Sequence, residues 1–192
     1  EFAEKNKIRY VIPFTSKNDD VLSNAYVFQV NTPHSYLYSK AAQAGYELFK
    51  NYNIVLLNTN DSQDDKKDFI KALKAELKQN KISYKECTYN PATFSADIEN
   101  QLSKEKQNVI IPMSGSLETL NKIKNPLVTI AKNKSEYELT LFGYPEWQTY
   151  TRDCLEEFYA LNTYIYSNFY ADNLNSDVQD FYHKYKTWYS KN

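Results

Sequence analysis

The run Phe142-Gly143-Tyr144-Pro145-Glu146-Trp147 is the most distinctive stretch of the 192-residue chain. It sets a carboxylate among large aromatic rings and adds a glycine and a proline, the residues that shape a tight loop. Glu146 can pair there with an ammonium group, while Tyr144 or Trp147 can stack on a ligand or face its cation. The competing role is an aromatic plug closing the end of a sheet. Pro112-Met113-Ser114-Gly115-Ser116 comes just before a helical pattern. A helix start of this kind offers N–H groups to an anion or polar ligand, and Ser114 or Ser116 equally serves as a plain N-cap. Pro13-Phe14-Thr15-Ser16 places two hydroxyls after an apolar run, suited to a carboxylate or to a turn that satisfies its own backbone. Asn58-Thr59-Asn60-Asp61-Ser62 is rich in acceptors, and Asp61 or Ser62 also fits a helix cap.

Other chemistries find no support. The three glycines, Gly45, Gly115 and Gly143, are too scattered for a dinucleotide fingerprint or a Walker loop. Ser114-Gly115-Ser116 is not a nucleophile elbow. His34, His183, Cys87 and Cys154 show no metal-ligand spacing, so neither a metal nor another cofactor is expected. The two cysteines are read as buried free thiols, although their positions leave pairing open. The pairs Asp64-Asp65 and Glu156-Glu157 read as solvated helix faces. The expectation is a protein that is not an enzyme.

Composition narrows the partners. The formal net charge of -1 provides no field for nucleic acid, and the basic residues are lysines apart from Arg9 and Arg152. No run of 18 apolar residues is present, so no membrane span is expected in this segment. The chain opens on Glu1-Phe2 without a leader, which suits a mature or excised segment and is silent on compartment. An apolar fraction of 42% and an aromatic fraction of 16% suffice for a substantial core.

The elements that must position these loops alternate. Apolar runs at 8–12, 26–30, 53–58, 82–89, 108–113, 137–142 and 163–166 read as strands. Helical spacing covers 35–50, a segment from Asp61-Ser62 through Phe69, Leu73 and Leu77, and then 94–104, 116–132, 147–159 and 175–190. This alternation predicts an α/β fold, a three-layer Rossmann-like and mostly parallel sheet with helices on both faces. Ligands in such sheets sit at the carboxyl ends of strands, where the strand order reverses. Residues 1–32 carry two short strands and read as a crossover segment. In the last helix Val178, Phe181, Tyr182, Tyr185 and Trp188 share one stripe. This dense aromatic cluster suits packing against another part of a larger protein, or recognition of sugar rings.

The order of these motifs resembles the type 1 periplasmic binding proteins, the group that includes branched-chain amino-acid receptors. Val11-Ile12-Pro13-Phe14-Thr15-Ser16 is similar to the family's segment of strand, proline and hydroxyls, and Tyr26-Val27-Phe28-Gln29-Val30 to its following strand. Ile54 to Asp61 resembles its next strand and loop, and Tyr89 to Asp97 its approach to a short helix. Phe169-Tyr170-Ala171-Asp172, with Val178, Phe181 and Tyr185, resembles a late pattern of the family. The resemblance implies one lobe of a two-lobed fold that closes by a hinge around a ligand. Residues 33–165 would be that lobe, residues 1–32 would lead toward a first lobe, and residues 166–192 would return to it.

Carried over by position, Thr15 and Ser16 would hold an amino-acid carboxylate, and Glu146 the α-ammonium. Ser114, Ser116, Tyr144 and Trp147 complete the candidate ligand contacts. The family's Tyr-Gly after the third strand is replaced by Asp61-Ser62-Gln63, and Ser114-Gly115-Ser116 lacks the tyrosine often beside that glycine. The first expectation is a ligand-binding or sensory module of a bacterial envelope receptor, taking a small polar molecule that is amino acid-like or a cell-wall fragment. The departures open a second: a structural or peptidoglycan-associated module that keeps the fold without the ligand. Similar regions occur in envelope proteins with LysM-type peptidoglycan-binding modules upstream. That association implies the periplasm or an envelope lipoprotein, with peptidoglycan met through other modules of the parent. A flavodoxin or response regulator shares the alternation, but residues 13–20 carry neither the phosphate loop nor the acidic pair those proteins need.

Overall fold

A computed structural model describes residues 2–12, 24–60, 66–167, 172 and 174–189. In chain order the elements are α1 (Phe2–Lys5), β1 (Tyr10–Ile12), β2 (Val27–Gln29), α2 (His34–Phe49), β3 (Asn53–Asn58), α3 (Lys67–Gln79), β4 (Tyr84–Thr88), α4 (Phe94–Glu99) and β5 (Asn108–Pro112). They continue with α5 (Leu117–Asn133), β6 (Leu139–Gly143), a 3-10 turn (Pro145–Tyr150), α6 (Leu155–Ala160), β7 (Tyr164–Ile165) and α7 (Ser176–Tyr189). β1 and β2 form a small parallel pair of their own, Tyr10 opposite Val27.

The main sheet has five parallel strands in the order β4-β3-β5-β6-β7. β5 and β6 are buried at every position and β3 at its four central ones, as continuous apolar runs demand of strands covered on both faces. β4 lies at an edge and buries only Cys87. α2 packs on α3 over one face, while α4, α5 and α6 pack in sequence over the other. The expected three-layer α/β architecture is therefore the one observed. Both cysteines are free and buried.

Asparagines fasten the amino ends of the central strands. Asn108 is fully buried beside Asn53, its register partner across β3 and β5. Its Oδ1 accepts from Asn53 Nδ2 at 2.8 Å and from the Ser103 N–H at 2.7 Å. Its Nδ2 donates to the Ser103 carbonyl at 2.9 Å, and Asn53 Nδ2 also donates to the Gln101 carbonyl at 2.7 Å. These bonds take up the backbone of residues 101–106, which is why the helix expected over 94–104 stops at Glu99.

The single helix expected over 147–159 is also divided. Trp147 and Phe158 stack with centroids 6.1 Å apart and planes 9° from parallel. On one continuous helix, eleven residues would separate these rings by about 16 Å. The 3-10 turn and the turn before α6 fold the segment so that both rings enter the core. α5, by contrast, runs unbroken through Pro126 because Leu120, Ile123, Leu127 and Ile130 hold it against the sheet.

Asn108→Ala removes the acceptor of two donors at a fully buried position. It should lower unfolding free energy by about 2–5 kcal/mol in urea titration. The glycines give a second, opposite-signed comparison. A Cβ on Gly45, inside α2, would meet Leu73 and Phe142 at 3.8 and 4.0 Å, ordinary contacts. On Gly143 it would lie 2.4 Å from the Trp147 ring. Gly45→Ala should stabilise by about 0.5–1 kcal/mol, and Gly143→Ala should destabilise by about 1–3 kcal/mol.

Candidate functional site

Strand order reverses between β3 and β5, so the crevice of this sheet opens at Asn58, Pro112 and the neighbouring carboxyl end of β6. Three of the four singled-out loops meet there. The fourth, with Thr15 and Ser16, lies outside the described residues, as do Asp61 and Ser62 of the loop after β3.

At the start of α5, Ser116 is the N-cap: its Oγ accepts from the Thr119 N–H at 3.0 Å. Ser114 is buried, and its Oγ accepts from the Ser116 N–H at 3.2 Å. Thr119 Oγ1 lies 3.1 Å from Ser116 Oγ and 3.2 Å from the buried Thr59 Oγ1. This hydroxyl chain joins the end of β3 to α5 across the switch point. Beside it, Asn60 takes a left-handed φ of 54°, with its N–H held by Asn58 Oδ1 at 2.9 Å.

Tyr144 and Trp147 are fully buried. The Tyr144 hydroxyl donates to the Pro112 carbonyl, and Trp147 Nε1 donates to the Gly115 carbonyl at 2.7 Å. Their rings meet edge to face at 5.9 Å. Both therefore tie β6 to β5 and form a wall, presenting no ring to solvent. Glu146, between them in sequence, stays more than a third exposed at its side chain.

Its partner is a residue that the sequence did not single out. Lys66, immediately before α3, is 7% exposed, and its Nζ forms an ion pair with Glu146 Oε1. The ammonium also lies 5.1 Å from the centroid of the Tyr144 ring. A buried lysine loses hydration, and the carboxylate and ring face compensate for that loss. The pair rests on Gly115, where a Cβ would come within 2.6 Å of both Glu146 Oε1 and Lys66 Cε. A methyl there would push aside these two flexible side-chain ends, so glycine leaves the pair its present place.

The pair borders a cleft of about 240 Å³ lined by His34, Leu37, Tyr38, Lys66, Pro145, Glu146 and Tyr166. Below it, Phe69, Phe142 and Tyr166 stack with centroids 5.5–5.8 Å apart. His34 and Tyr38 sit one turn apart on α2, ring centroids 5.5 Å apart. No single motif announced this lining, because it comes from four separated segments. A small polar molecule would find here a positive donor, a negative acceptor and aromatic edges.

The cysteines lie elsewhere. Burial, then the charge of Asp97, pushes the Cys87 thiol up, so it stays protonated at neutral pH. Lys124 Nζ lies 3.4 Å from Cys154 Sγ and 3.4 Å from Glu157 Oε1. Burial pulls the Lys124 ammonium down, but Cys154 and Glu157 together hold it above its ordinary value. Among the described residues, no group of three or more His, Cys, Asp or Glu side chains could hold a metal ion, and no helix is long and apolar enough to cross a membrane.

No family model matches the chain, and no curated protein matches it. Among solved structures it is similar to an ABC sugar transporter protein, a periplasmic sugar-binding protein from Legionella pneumophila. Identity is 13% and the TM-score 0.48, with 85% of this chain covered. The chain spans 59% of that protein's length.

The two halves of the ion pair should respond differently to removal. Glu146→Gln removes the carboxylate paired with a buried ammonium and should cost about 1–3 kcal/mol, a value reduced because the carboxylate is partly solvated. Lys66→Met removes the buried charge itself and should cost at least about 1 kcal/mol less. Parallel denaturant titrations of both variants check the asymmetry.

Proposed function

We propose that this chain is a non-enzymatic ligand-binding module that holds a small polar molecule at the carboxyl ends of β3, β5 and β6. The observation that carries this reading is the Lys66–Glu146 pair at the edge of the 240 Å³ cleft. A buried ammonium and a partly solvated carboxylate, paired over Gly115, form a pre-organised dipole. An amino acid-like zwitterion or a hydroxyl-rich cell-wall fragment can accept from one partner and donate to the other. Glu146 is the direct contact, with Lys66 beside it. Ser114 and Ser116 set the start of α5, and Tyr144 and Trp147 form the wall. Thr15 and Ser16 are the proposed hydroxyl contacts at the end of β1.

The resemblance to type 1 periplasmic binding proteins supports a wider setting. In it, residues 33–165 are one lobe, residues 1–32 connect to another, and closure of the two retains the ligand. That setting belongs to the periplasm or an envelope lipoprotein of a receptor, with LysM-type modules of the parent supplying contact with peptidoglycan.

A second reading has its own observation. Lys66 and Glu146 already satisfy one another, and the Tyr144 hydroxyl, Trp147 indole and Ser116 hydroxyl are also engaged within the protein. A scaffold or peptidoglycan-associated module that keeps the fold without a ligand would look the same.

Thermal-shift and calorimetric titration against amino acids, neutral sugars and peptidoglycan fragments separates the two. Ligand binding predicts a stabilisation that falls at least about tenfold in affinity in Glu146→Gln. Absence of binding by every class, together with retention on insoluble peptidoglycan, would establish the scaffold reading instead.

A further inference from the structure

α3 carries its lysines along one line. Lys67, Lys71, Lys74 and Lys78 recur at steps of four, three and four, which at 100° per residue puts them within an arc of about 60°. The carboxylates of α3 lie outside that arc, Asp68 about 90° and Glu76 about 170° from its centre. Like charges three and four residues apart weaken a helix, so nothing in the helix itself favours this arrangement. Lys74 is compensated by Glu86 of β4 at 2.9 Å. Among the described residues no carboxylate pairs with Lys67, Lys71, Lys78 or Lys81, and all four are exposed. Lys81, just past the helix, adds a backbone cost. Its N–H donates to the Lys78 carbonyl at 3.2 Å, and the Ile82 N–H donates to the Leu77 carbonyl at 2.9 Å. This helix ending puts residue 81 in the left-handed region, at a φ of 59°. Glycine fits there without strain, whereas lysine keeps a side chain and a charge at that position.

Lys74, Lys78 and Lys81 line a cleft of about 560 Å³ together with Ser83 and Tyr84. It lies at the amino end of β4, whereas the Lys66–Glu146 pair lies at the carboxyl ends of the strands. The lining discriminates among anionic partners. No large apolar side chain of α3 or β4 is exposed, so nothing on this face inserts into a membrane. Tyr84 is the one ring of the cleft, and Lys74 already sits over it at 5.7 Å from the centroid. Successive nucleic-acid bases therefore find no stacking platform. Neighbouring lysines of the stripe stand about 4.5–6 Å apart along the axis, comparable to one sugar unit of an extended chain. The Ser83 hydroxyl can both donate to and accept from sugar hydroxyls.

We propose that the lysine stripe of α3 and the cleft at its end form a second binding surface, which holds a single chain of an acidic polysaccharide bearing one carboxylate per sugar. Lys71, Lys78 and Lys81 meet successive carboxylates as point charges, and Ser83 meets a sugar hydroxyl. This surface lies at the other end of the sheet from the candidate ligand site, so the two bindings are separable.

Calorimetric titration of the 192-residue chain with oligogalacturonate tests the proposal, run in parallel with single-stranded DNA and with vesicles of anionic phospholipid. The expected result is a Kd of roughly 1–100 μM for oligogalacturonate at low salt, weakened at least about tenfold between about 0.05 and 0.5 M salt. Lys71→Gln combined with Lys78→Gln should weaken it at least about tenfold at low salt. Both lysines are exposed, so this double variant should keep the melting temperature of the parent chain, which circular dichroism verifies. Lys81→Gly separates binding from folding. It should raise the melting temperature, because glycine relieves the left-handed φ, and still weaken oligogalacturonate by at least about threefold. No binding of oligogalacturonate at about 1 mM overturns the proposal, as does binding that is unchanged in the double variant or in Lys81→Gly. Tighter binding of the DNA or of the vesicles than of oligogalacturonate overturns it as well.

Discussion

The carboxyl end of this sheet is organised by a single buried charge. Lys66 is nearly inaccessible, and Glu146 and the face of Tyr144 both meet its ammonium there. For Glu146 to arrive there, β6 must end at Gly143 and turn at Pro145. The pair occupies the space that a Cβ on residue 115 would take. The same turn delivers Tyr144 and Trp147 to carbonyl groups of the β5 end. One ion pair thus fixes the entry to α3, the exit of β5 and the exit of β6 together.

The two ends of the central strands are built differently. At the amino end, the asparagine pair is satisfied by neighbouring backbone groups, with Asn108 fully buried and Asn53 half-buried. At the carboxyl end, rings stacked beneath the cleft support a polar rim that stays accessible at Glu146. A rigid base with an accessible rim suits recognition, since groups held in place before binding lose little entropy when a ligand arrives. In the proposed role the loops carry the contacts, and the strands serve to hold the loops.

The sequence was most legible where period and burial agree. Ile54 to Leu57 and Val109 to Ile111 are continuously apolar because both faces are covered, and the alternation of such runs with helical spacing gave the α/β class. Helix ends were less legible. Nothing local to residues 94–104 reveals that Asn53 and Asn108 will claim the backbone after Glu99, and nothing local to residues 147–159 reveals that Trp147 and Phe158 must stack. Pro126 errs in the other direction: its own preference is to interrupt a helix, but the apolar stripe around it prevails.

The candidate site divides along the same line. Glu146 was conspicuous because it sits in an unusual loop, while Lys66 is one lysine among many and became distinctive only through burial. Tyr144 and Trp147 looked like ligand-facing rings and lie buried in the wall behind the carboxylate. What the loops have in common is that they converge where strand order reverses, which topology rather than local sequence decides. The central claim is that Lys66 and Glu146 are a ligand contact as well as a structural pair. It is tested most directly by nuclear magnetic resonance of the chain with selectively labelled lysine, titrated with amino acids, neutral sugars and peptidoglycan fragments. The expected result is a saturable shift of the Lys66 ε-methylene signal with one of these classes, while Lys124, in its separate cluster with Cys154, stays fixed. A Lys66 signal that does not move with any of them would contradict the claim.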